Sequence, residues 1–157
     1  MIPHDWLLAF KGAKAGSKMA FGVDENTALL VNISRRHLEV AGEHGVWVVE
    51  QVKTNYDADP ESFLATTHYL TPQSTTKVDA SGQHLVDIHL GKSVLPKPVL
   101  QTEFAAAVNQ ACRQHGTVHV NTEGHTLNLS PMLSTSCQQM ANKGDGYKSM
   151  ALELKRR

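Results

Sequence analysis

Asp87 and His89 stand two positions apart in the run Leu85-Val-Asp-Ile-His-Leu90. On a strand that spacing places both side chains on one face. An aspartate that orients a histidine recurs in acid–base and metal sites, so the pair is the first candidate for catalysis, in a small hydrolase or metal-dependent enzyme. Val86, Ile88 and Leu90 fill the opposite face, which is also how a half-buried strand with a solvated side reads. No spacing in the chain supplies a third group, and H-E-x-x-H and G-x-S-x-G are both missing.

The segment 102–129 carries three of the nine histidines and reads as a helix over 102–115, a glycine stop at Gly116 and a hairpin over 117–129. A turn at Glu123-Gly124 sets Val120 opposite Leu127 and Val118 opposite Leu129, which gathers the apolar residues on one face and fixes the register. His119 then lies opposite Asn128 on the other face, while His125 falls opposite Thr122 on the Val118 side. Zinc needs imidazole nitrogens about 2.0–2.1 Å from one ion, and side chains on opposite faces of a sheet cannot converge in that way. His115, in the last helical turn, suits the carbonyl end of the helix dipole. No metal or cofactor is therefore expected.

Gly12-Ala-Lys-Ala-Gly16-Ser17-Lys18 resembles a phosphate-binding loop only superficially. A serine separates the second glycine from the lysine, and the Met-Ala-Phe-Gly-Val that follows reads as a strand where that motif needs a helix N-terminus. A flexible basic loop is the better reading.

The 157 residues, 41% hydrophobic and 19% charged, fit one soluble folded domain. Fifteen basic and fifteen acidic residues cancel, removing any global electrostatic drive toward nucleic acid or anionic lipid. The charge is nevertheless uneven. Glu39, Glu43, Glu50, Asp57 and Asp59 make one region acidic, whereas Lys11, Lys14, Lys18, Arg156 and Arg157 make both ends basic. Cys112 and Cys137 form no C-x-x-C and are expected to be reduced. The N-terminus lacks a basic region ahead of its short apolar run, and no stretch approaches the roughly 20 apolar residues of a spanning helix. A cytoplasmic protein without a membrane partner is expected, in which the Asn-x-Ser patterns at Asn32 and Asn128 are idle.

These candidates need elements to position them. Strand-like runs over 19–23, 27–33, 37–41 and 46–53, separated by polar and glycine turns, predict consecutive hairpins in an antiparallel meander. Leu29-Leu30-Val31 and Val46-Trp47-Val48-Val49 are apolar on successive residues, as in interior strands covered on both faces. Asp59-Pro60-Glu61-Ser62 has the signature of a helix start, with a helix expected to about Leu70. Strands follow over 76–80 and 84–90, and after the 102–129 unit come a helix from Pro131 to about Ala141 and a strand over 148–155. Met150, Leu152 and Leu154 share one face of that last strand. The expectation is a single α+β domain, mainly antiparallel sheet with about three helices, which the Pro96–Pro98 connector could divide into 1–93 and 99–157.

In function, the acidic region favours a non-enzymatic protein-binding module, such as an inhibitor, immunity or accessory protein or a small subunit of an assembly, using Glu39, Glu43, Glu50, Asp57 and Asp59. The alternative is a nucleic-acid-binding protein using Lys11, Lys14, Lys18, Arg156 and Arg157.

Overall fold

A computed structural model describes residues 18–55, 59–91, 102–122, 124–137 and 146–156. In chain order the elements are β1 (Met19–Val23), β2 (Thr27–Asn32), β3 (His37–Gly42), β4 (Val46–Asn55), β5 (Asp59–Leu70), β6 (Thr75–Val78) and β7 (Leu85–His89), then helix α1 (Thr102–Gln114), β8 (Val118–Thr122), β9 (His125–Cys137) and β10 (Tyr147–Arg156). The strands form a larger sheet of order β1-β4-β5-β10-β9-β8 and a smaller one of order β2-β3-β6-β7. The larger sheet thus takes strands from both sides of the proline connector, which itself lies outside the described residues.

The expected α+β domain with about three helices is corrected by this architecture: the described chain is mostly strand, with α1 its one helix. The helix foreseen from Asp59 is β5. Its capping signature is local, whereas the segment behind it holds Thr66, Thr67 and Tyr69, which favour strands, and Thr67 to Leu70 are buried on both faces. The helix foreseen from Pro131 is the second half of β9, whose described residues continue as strand to Cys137.

The larger sheet is covered by α1 on one face and, over β4 and β5, by the smaller sheet on the other. Ala107, Val108 and Ala111 form the inner stripe of α1 and pack on Trp47, Val49, Tyr69, Val118, Leu127, Leu129, Met150, Leu152 and Leu154. On the opposite face Val46, Val48 and Leu70 meet Leu38, Val40 and Leu85 of the smaller sheet. Val46 to Val49 are each 4% exposed or less, so β4 is the interior strand that its continuous apolar run predicts.

The meander is also corrected. β1 pairs with β4, not β2, and β3 pairs with β2 and β6, not β4. The turns at 24–26 and 43–45 therefore carry the chain from one sheet to the other and back. They are strapped side by side: Asp24 N–H donates to Gly45 O at 3.1 Å and Glu43 N–H to Asn26 O at 2.9 Å. Gly45 is required there, because a Cβ would lie 2.5 Å from the Tyr69 ring and 2.7 Å from Leu70 O.

A disulfide joins Cys112 of α1 to Cys137 at the end of β9, with Cα atoms 6.3 Å apart. The expected free thiols are thereby corrected. The pairing arises because α1 lies over the sheet, a contact that 25 residues of intervening sequence conceal.

Candidate protein-interaction surface

Glu50 was expected on an acidic surface, yet it is 3% exposed and faces the space between the sheets. One carboxylate oxygen accepts the Leu85 N–H of β7 at 2.7 Å; the other lies 3.2 Å from His68 Nε2 on β5. His68 Nδ1 in turn accepts the Ser149 N–H of β10 at 2.9 Å. An amide can only donate, so Nδ1 carries a lone pair and the ring proton sits on Nε2, toward Glu50. The Leu85 bond and the close approach of His68 tie Glu50 on β4 to β7 and β5, His68 itself is bonded to β10, and Glu50 cannot meet a partner.

The rest of the acidic set is dispersed. Glu39 is exposed on β3, directly opposite Leu30. Glu43 is exposed at the second crossover, where it accepts the Asn26 amide at 3.2 Å. Asp59 begins β5, pairing with Asn55, and Asp57 lies outside the described residues. Of the basic set, Lys18 is exposed and Arg156 ends β10; Lys11, Lys14 and Arg157 lie outside the described residues.

The Asp87–His89 pair does not form as the strand alternation requires. Asp87 has a φ of 52° and sits at an irregularity where Val86 pairs with Lys77 and His89 with Thr75. Three steps on β7 thus match two on β6, a bulge that breaks the parity. Val86 and His89 share a side, and both Asp87 and His89 are exposed. Among the described residues, no group of three or more His, Cys, Asp or Glu could hold a metal ion.

The β8–β9 hairpin has the register expected from its parity: Val118 opposite Leu129, His119 opposite Asn128, Val120 opposite Leu127 and Thr122 opposite His125. His119 is exposed and its Nδ1 is bonded to Asn128 Oδ1. The Asn128 amide then donates to Glu153 at 2.9 Å, and Lys155 sits 3.3 Å from the other Glu153 oxygen. This row laces three strands across a polar, solvated face. His115 lies one residue past α1 with a φ of 49°, so histidine rather than Gly116 takes the left-handed stop.

A buried aromatic group fixes the first crossover. Trp47 stacks on Tyr69 with centroids 4.2 Å apart and meets Tyr147 edge-on at 6.2 Å. The Tyr69 hydroxyl donates to Asp24 at 2.8 Å, on the carboxylate oxygen that also accepts the Gly45 N–H. Burial, then the Asp24 charge, raises the Tyr69 phenol far above its ordinary 10.0; burial also raises Tyr147. The sign follows: above about pH 10 the unfolded chain gives up phenol protons that the folded chain keeps, so stability present below that pH is lost as pH rises. Each tyrosine contributes a slope of up to about 1.4 kcal/mol per pH unit. Urea unfolding at alkaline pH should show this loss, and Tyr69→Phe should make it shallower.

The least expected surface is β2. The continuous apolar run Leu29-Leu30-Val31 predicts an interior strand, but β2 is the edge of the smaller sheet. Leu30 is 51% exposed, Val31 58% and Ile33, in the following turn, 85%. By register Val31 is on the same face as the buried Leu38 opposite it, yet it stays more than half exposed. A continuous apolar run fits an interior strand, and it equally fits an edge whose cover lies in another chain. The run Thr27–Asn32 contains no charge and no proline, the residues with which edge strands ordinarily discourage pairing.

No protein-family model, curated protein or solved structure matches the chain.

Proposed function

We propose that this chain is a non-enzymatic protein-binding module that takes an extended strand along the edge of β2 that no described strand pairs. The observation that carries the reading is the coincidence, on an edge strand and the turn after it, of three exposed aliphatic residues, Leu30, Val31 and Ile33, with a strand free of charge and proline. Strand addition draws affinity from main-chain hydrogen bonds and selectivity from alternate side chains; Leu30 on one face and Leu29 and Val31 on the other supply such positions. Glu39, opposite Leu30, and Glu43, at the strand's end, form an acidic rim to this edge, so part of the acidic region keeps a role.

Affinity capture from the native host's lysate, with wild type and Leu30→Lys as baits, tests the reading. At least one captured protein, extra copies of the chain included, should be lost with the lysine. An unchanged set would remove β2 as the contact.

No helix among the described residues is long and apolar enough to cross a membrane. Against the cytoplasmic setting expected from the sequence, the Cys112–Cys137 bond favours an oxidising compartment, where disulfides persist. Alkylation of the chain as it leaves its host should find no free thiol; two modified cysteines would restore the cytoplasmic reading.

A further inference from the structure

We infer that Asn32 is a site of N-linked glycosylation and that Asn128, which heads the same Asn-x-Ser pattern, is not. The inference rests on the reading of the chain as a protein of an oxidising compartment and goes beyond it. In a reducing setting with free thiols the pattern is idle. The Cys112–Cys137 bond removes that premise, because the compartments that preserve disulfides include the one in which Asn-x-Ser is read as a glycan acceptor.

The two asparagines differ in what their carboxamides already do, and the atom that takes a sugar is Nδ2. Asn32 is the last residue of β2, paired with His37, and opens the turn 33–36. Its Oδ1 accepts the Ser34 hydroxyl at 3.0 Å and the Arg35 N–H at 3.1 Å. The carboxamide is thus held by its oxygen, and among the described residues no hydrogen bond engages its Nδ2. Ser34, the second determinant of the pattern, is already turned toward the asparagine it serves. Asn32, Ile33 and Ser34 are all exposed among the described residues.

Asn128 is the reverse case. It lies within β9, with His119 of β8 on one side and Glu153 of β10 on the other. Its Oδ1 is bonded to the His119 ring and its Nδ2 donates to Glu153 at 2.9 Å. A sugar on that nitrogen would take the place of the Glu153 bond and stand inside a three-strand row, whereas one on Asn32 displaces no contact. The donor by chemical class is a lipid-linked oligosaccharide diphosphate. The bond from Nδ2 to the anomeric carbon forms, the anomeric carbon–oxygen bond to phosphate breaks, the lipid diphosphate leaves with that electron pair, and the amide gives up one of its two protons. Oδ1 is untouched, so both turn bonds persist. The Asn32 side chain stands on the Leu30 face of the sheet, two residues along, and so leaves the main-chain groups of the β2 edge open.

Mass spectrometry on the full chain from its native host tests this, before and after an amidase that cleaves the glycan and leaves aspartate at the attachment position. The untreated chain should be heavier than its polypeptide, and treatment should place aspartate at position 32 and not at 128. Asn32→Gln and Ser34→Ala should each abolish the added mass, and Ser34→Thr should keep it. Ser130→Ala, which ends the second pattern yet keeps both Asn128 bonds, should leave the added mass unchanged. An unmodified Asn32 in a chain with no free thiol would overturn the inference and leave the oxidising compartment standing; an unmodified Asn32 with two free thiols would overturn both. Aspartate at 128, or added mass that survives Asn32→Gln, would also overturn it.

Discussion

Glu50→Ala is expected to lower the free energy of unfolding by about 2–6 kcal/mol, the cost of leaving two buried donors without the carboxylate they face. The loss has identifiable parts. The Leu85 N–H gives up its acceptor in a buried setting, and the His68 Nε2 proton loses the carboxylate it faces. Glu50→Gln keeps one carbonyl oxygen, so it should cost clearly less. Urea denaturation read by far-ultraviolet circular dichroism checks both variants. A change below about 1 kcal/mol for Glu50→Ala would show that the two sheets are held together without this side chain. A double-mutant cycle with His68→Gln would then separate the direct pair from the Leu85 bond.

Trp47→Ala is expected to cost a comparable 3–5 kcal/mol, the range for deleting a buried indole. Trp47 is 4% exposed on the helix-covered face, stacked on Tyr69 and edge-on to Tyr147. Its removal leaves a cavity between α1 and the larger sheet. It also frees the Tyr69 ring, whose hydroxyl holds Asp24 at the first crossover. The substitution should therefore add to the packing loss faster amide exchange at Gly45, whose N–H shares the Asp24 carboxylate. Trp47→Phe should retain most of the stability.

Particular residues show what the sequence could disclose. Val118, Val120, Leu127 and Leu129 alternate cleanly around a glycine turn, so parity alone yields the register of β8 on β9. Met150, Leu152 and Leu154 do the same for the buried face of β10, at 0%, 1% and 8% exposure. The alternation fails as a guide where the backbone departs from it. At Asp87 the left-handed conformation inserts a step that the residue type does not announce. Asp59-Pro60-Glu61 has the chemistry of a helix start, but cross-strand partners distant in the chain decide the outcome. Glu50 sits in Val-Val-Glu-Gln-Val, where a carboxylate reads as solvated; its acceptor role becomes visible only once β7 and β5 are brought around it. The run Leu29-Leu30-Val31 has the pattern of an interior strand, yet β2 is the edge of the smaller sheet with Leu30 and Val31 exposed, because an apolar run records side-chain type and not the number of neighbouring strands.

The two crossovers bear on the order in which the molecule is built. The chain leaves the larger sheet after Val23 and returns at Val46, and those two residues are paired with each other. Joining β1 to β4 directly would mean closing the whole intervening stretch as a loop, at an entropic cost that grows with its length. A β2–β3 hairpin formed first, from neighbours in sequence, draws the two crossovers together and removes much of that cost. The exposed edge strand β2 would then take shape ahead of the larger sheet, and an emerging chain would present that edge before its own core had closed.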